Sequence, residues 1–237
     1  MANSFSNDTY RPAKSLAYIV MAIFGGIAVC GILKALMSVF VIASPDSRIG
    51  SGSSSEHFGI VLIGLTVLLE SLLRLLVIVL FLIWLYRSFN NLSALKAKHL
   101  EFTPGWAVGW WFIPFANLVK PFQVVRELWN ESDPEFDEDA VFGYAGGGTP
   151  PMIGLWWAAF LTSNIAGRIA DAVFNERGGR QDAFSAVLIV ASILQTAAAV
   201  LVLLIVKGVT ERQEKRFEKL AATEKFVPPP PEFYQNG

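Results

Sequence analysis

Four long apolar stretches, Ser15–Ala43, Phe58–Tyr86, Met152–Phe174 and Ala183–Val206, constrain this chain more than any other feature. A helix needs about 20 mostly apolar residues to cross a hydrocarbon core of roughly 30 Å, and each stretch is long enough. Backbone N–H and C=O groups in lipid must be satisfied within the segment, which selects helices. The expected fold is therefore all-α, a polytopic membrane helical bundle of four transmembrane helices. The first two stretches exceed the minimum, so they must tilt or project. The first follows Arg11 and Lys14, as a signal peptide would, but its apolar run is far longer than such a signal's core and reads as a retained span. Charged residues make up 16% of the chain, against about 25% in soluble domains. That deficit leaves the long uncharged runs.

A fifth stretch, Trp106–Val119, is too short to cross and contains Gly109 and Pro114. Such a length suits an interfacial or re-entrant segment, and Trp106, Trp110 and Trp111 have rings that favour the headgroup level. Pro104 can open a helix at its first turn, whereas Pro114 and Pro121 each remove a backbone donor and break or kink the run. Two or three short helical pieces over residues 104–129 are expected. Asn117, Lys120, Gln123 and Arg126 would supply their polar contacts. The plainest role for them is an anchor that packs on the spans. A platform facing lipid headgroups or a ligand is the alternative.

Basic residues orient the bundle. Of 19 Lys and Arg, only Arg48, Arg177 and Arg180 fall on the outer side when residues 1–14 are placed inside. Lys34, Arg74 and Arg168 lie within spans, and all the others fall inside. This is the positive-inside pattern, and a fifth crossing before Arg126 would destroy it. The expected organisation is a cytoplasmic N-terminus over 1–14, a membrane domain over 15–209 and a cytoplasmic helical extension with a Pro-rich tail over 210–237. The location implied is a membrane, with both ends of the chain on its cytoplasmic side. Ser47–Ser55 reads as a flexible external loop, and residues 131–151 as an acidic, then Gly-rich, solvated linker. The alternating acids Asp133, Glu135, Asp137 and Asp139 lack the turn glycine and closing Glu of a calcium-binding EF-hand loop.

Little else suggests chemistry. Cys30 is the single cysteine, and His57 and His99 fall on opposite sides of the membrane. There is no phosphate-binding Gly loop, no paired metal ligands and no nucleophile with a base, so no enzyme, cofactor or metal is expected. A net charge of −1 offers no field for nucleic acid. The lipid bilayer and proteins at the cytoplasmic face are the partners to expect.

Ionisable residues inside a membrane are functional candidates by default. At about 1.5 Å per residue, Lys34, Glu70, Asn164 and Gln195 fall near one mid-membrane level. Glu70 and Arg74 share a helix face at i, i+4, and Arg168 and Asp171 form a second local pair nearer the outer surface. Either these residues line a hydrophilic seam with Glu70 as its titrating group, or Lys34, Glu70 and Arg74 neutralise one another. In the second case Asn164 and Gln195 hydrogen-bond between helices. Thr162, Ser163, Gly25, Gly26 and Gly31 read as helix-packing positions.

The block from Trp84 to Trp129 carries an ordered series: Arg87, Asn91-Leu92, Pro104-Gly105-Trp106-Ala107, Trp110-Trp111, Pro114 to Asn117, and Pro121 to Gln123. Gly154 to Trp157 and Gln213 follow. The series resembles the bacterial membrane family called domain of unknown function 4328, over roughly residues 60–216. The resemblance implies a multi-pass protein of a bacterial membrane, hence the inner membrane, and no activity. The function to expect is structural, assembly or interaction work, with a small ion, proton or polar-solute transporter as the alternative.

Overall fold

The computed structural model describes residues 9–43, 54–97, 100–135, 149–175 and 181–225. Among them the only regular elements are helical. Four long helices, α1 (Lys14–Ala43), α2 (Ser54–Ala94), α5 (Pro151–Asn175) and α6 (Gln181–Lys225), stand where the four apolar stretches are. Two shorter ones, α3 (Pro104–Gly109) and α4 (Lys120–Glu131), carry the Trp- and Pro-rich block, with single 3-10 turns at Trp110–Phe112 and Ala116–Leu118 between them. The fold is all-helical, as expected.

Among the described residues, three helices are long and apolar enough to cross a membrane: Lys14–Val39 of α1, Gly64–Ala94 of α2 and Ala186–Thr223 of α6. The fourth expected span, α5, is not among them. Pro151, Trp156, Trp157, Asn164 and Arg168 lower its hydropathy below what length alone suggested. Along α2, side chains such as Leu65, Leu68, Leu72, Leu75 and Val79 are exposed. An apolar surface of this extent belongs against lipid or another protein, not water.

Polar ties set the helix directions. Lys14 reaches Glu214 and Lys34 reaches Gln195, so α1 runs antiparallel to α6. Arg11 meets Asn91 and Lys34 meets Glu70, so α1 is antiparallel to α2 as well. Hence α2 and α6 run parallel. The Nε1 of Trp157, near the start of α5, donates to the Leu118 carbonyl at 2.9 Å, and Asn130 bonds Thr149 at 3.1 Å. Those ties start α5 at the end of the bundle that carries the Trp-rich block. Since Trp129 sits on Gly208 at that same end, α5 is antiparallel to α6. The dominant packing is α1 on α6 and α5 on α6, with α2 leaning on α1.

The core is concentrated at the block end. Ala17, Trp84, Leu85, Phe89, Leu92, Ala107, Val124, Leu128, Ile153 and Val206 are all fully buried there. Of the expected packing glycines, Gly31 brings α1 tight onto α6, where an added Cβ would lie 2.3 Å from the Thr196 hydroxyl. Gly26 faces Leu73, while Gly25 faces open space and packs on nothing within 4 Å. Thr162 does not bridge helices either, because its hydroxyl turns back to the Ala158 carbonyl of its own helix.

Candidate functional site

Two polar clusters interrupt the apolar bundle. The first lies at the level where α1, α2 and α6 meet. Glu70 is buried on α2 and takes Lys34 Nζ on one carboxylate oxygen at 2.6 Å. Its other oxygen accepts from Arg74, with Nη2 at 2.7 Å and Nε at 2.8 Å. The Gln195 amide donates to that same oxygen and accepts from Lys34 Nζ at 3.3 Å. Three helices are thus tied through one carboxylate. Three of the four residues assigned to a common depth, together with Arg74, do converge.

Asn164 does not join them. Its amide donates to the Phe160 carbonyl of its own helix at 2.7 Å, which satisfies it within α5. Asn164 and Arg168 instead line a cavity between the helices, while the Asp171 side chain lies outside the described residues.

The second cluster is at the block end, and sequence reasoning largely missed it. Asn91 grips the backbone of Arg11, accepting from its N–H at 3.1 Å and donating to its carbonyl at 2.9 Å. Arg87 Nε donates to that carbonyl as well, at 3.3 Å. Gln213 on α6 is 1% exposed and donates to the Ser88 carbonyl at 2.9 Å and the Ser132 hydroxyl at 3.1 Å. One turn on, the buried Arg216 donates to the Glu131 carbonyl at 2.6 Å, while Trp84 Nε1 reaches Thr210 at 3.4 Å. Asp133 is not a solvated linker acid, as its place in an acidic run suggested. It is buried and paired with Arg212, whose guanidinium lies 4.8 Å over the Trp129 ring. Thr210, Gln213 and Arg216 recur at i, i+3, i+6, so they share one helix face. That spacing was the available signal.

The Trp-rich block joins this knot to the bundle. Pro104 opens α3, with the Thr103 hydroxyl accepting from the Trp106 N–H. Pro121 opens α4 and does not kink a longer helix, so the break falls wholly at Pro114. There Phe115 takes φ 62, a left-handed conformation that L residues reach only at a cost. Phe112 and Phe115 stand 70% and 86% exposed, an apolar tip that projects from the bundle. Trp111 faces inward, edge-on to both Phe81 and Trp157. Trp106 stacks on Trp110, and Lys120 Nζ lies 5.6 Å over the Trp110 ring and 3.7 Å from Glu101. Burial raises the Glu127 carboxyl above its usual range, although the backbone N–H groups of Glu101 and Phe102 donate to it. Gly105 stands open and the Gln123 side-chain oxygen is buried without a partner among the described residues.

The family model of Domain of unknown function (DUF4328) matches residues 54–211, well over half of the chain. The chain belongs to that family. Comparison with curated proteins and with solved structures finds no match. Within this DUF4328 chain, the residues that carried the resemblance fall into the block-end assembly. Arg87, Asn91 and Gln213 hold helices α1, α2 and α6 together, and Pro104 and Pro121 start the short helices packed against them.

Proposed function

We propose that this DUF4328 protein is a four-crossing integral membrane protein of the bacterial inner membrane with a structural, assembly or interaction role and no catalysis. Support for the fourth crossing comes from α5, whose 25 residues extend about 37 Å at 1.5 Å per residue and pack along α6. Both termini lie in the cytoplasm, by the positive-inside pattern. The Trp-rich block then sits at the cytoplasmic headgroup level, with the α6 extension welded to it by Gln213 and Arg216. Proteins and lipid at that face are its partners.

The observation that carries a structural role is the state of Glu70. Proton-coupled transport calls for an acid without a permanent cation beside it, and Glu70 has both Lys34 and Arg74 within 2.7 Å. A carboxylate held this way ties helices together. The full chain reconstituted in vesicles tests the assignment through Glu70→Gln. Unchanged proton and solute flux with a loss of folded protein is expected. A well-folded Glu70→Gln protein with altered flux would favour the transporter.

A further inference from the structure

The cavity between the long helices measures about 640 Å³, within the roughly 300–1,000 Å³ typical of ligand sites. Along α6 it runs from Leu188 to Val202, about 21 Å at 1.5 Å per residue. The cavity is thus long enough for one extended long-chain alkyl group. Toward the block end its walls are aromatic, with Phe81, Trp111, Trp156 and Phe160. Toward the other end they are polar, with Lys34, Arg74, Ser192 and Gln195.

Charge at the polar end does not balance. Lys34 and Arg74 together face the single carboxylate of Glu70, which leaves one positive charge in excess beside a low-dielectric cavity. Such a charge is costly unless an anion joins it. Arg168 also lines the cavity. Ser192 is 1% exposed, and its hydroxyl has no hydrogen-bond partner among the described residues. It is a donor left over at the charged end. The cavity is lined by α2 on one side and α5 on the other and is half open to its surroundings, which in a membrane are lipid.

We propose that this cavity binds a long-chain carboxylate, a single-chain anionic amphiphile drawn from the bilayer. The carboxylate sits among Lys34, Arg74 and Ser192, and the chain lies against Trp111 and Trp156.

The probe is a dibrominated stearate, whose bromines quench nearby tryptophan, added to the full chain in phosphatidylcholine nanodiscs, with its methyl ester as the neutral control. Saturable quenching by the acid is expected, with affinity for the ester at least about tenfold weaker. It is lost in Gly167→Leu, a change on the cavity wall where a Cβ meets nothing within 4 Å, and weakened in Arg74→Gln. Should Gly167→Leu not fold, Ser163→Leu fills the same wall. Joint replacement of Trp111 and Trp156 by Phe removes the saturable part and leaves the bulk quenching of the exposed tryptophans. Quenching that grows linearly with added probe, that is equal for acid and ester, or that persists in the folded cavity-filled variant overturns the proposal.

Discussion

The Trp129 ring of α4 abuts Gly208 of α6 through its benzenoid edge, so close that a Cβ at residue 208 would meet two ring carbons at 2.4 and 2.5 Å. Arg212, one turn further along α6, covers the ring at 4.8 Å and holds Asp133 beyond it. The glycine is therefore the seat on which the short α4 is fixed to the long helix. Gly208→Ala should lower stability by about 1–3 kcal/mol, the usual cost of overpacking, even though alanine is the better helix former. Thermal unfolding of the purified protein measures it. Pairing Gly208→Ala with Trp129→Leu should recover part of the loss, and an unchanged Tm in the single variant would refute the contact.

Lys34, Glu70 and Gln195 give a second prediction. Glu70→Leu leaves Lys34 and Arg74 facing each other with no counter-charge and should cost about 3–5 kcal/mol, the penalty for breaking a buried pair. Lys34→Met costs less, because Arg74 still neutralises Glu70. The double variant Lys34→Met, Glu70→Leu should be more stable than Glu70→Leu alone. Additive losses across this cycle would show that the two residues are not coupled.

Tyr10 stacks on Phe217 with ring centroids 4.3 Å apart, and its phenol is pushed from 10.0 up to about 12, by burial first and by Glu214 second. A folded-state value above the unfolded one stabilises the fold fully below pH 10. That contribution is lost as pH rises from there to about 12. Tyr10→Phe keeps the stack and removes the titration, so its Tm should fall less steeply over this window than that of the parent. Absorbance titration should show the late-ionising tyrosine contribution of Tyr10 missing from Tyr10→Phe.

The proposed topology, four crossings with the N-terminus inside, would place the two ends of α2 on opposite faces of the membrane. Single cysteines at Ser54 and Ser93, with Cys30 replaced by Ala, should label with a membrane-impermeant maleimide from opposite sides. Labelling of both from one side would refute the topology.

Hydrophobic run length determined the helical class and the positions of α1, α2, α5 and α6, because lipid forces every backbone group into its own helix whatever the neighbours are. The i, i+4 spacing likewise determined that Glu70 and Arg74 pair, a contact within one helix. Depth along a helix could be counted from sequence, but azimuth relative to another helix could not. The tertiary structure therefore decided that Lys34 and Gln195 turn toward Glu70 while Asn164 turns back to its own backbone. It decided equally that Asp133 is buried against Arg212, 79 residues further along the chain. Such pairings depend on which helices touch and how they are rotated. Those are set by packing, with Gly31 on Thr196 and Gly208 under Trp129, and not by composition or period.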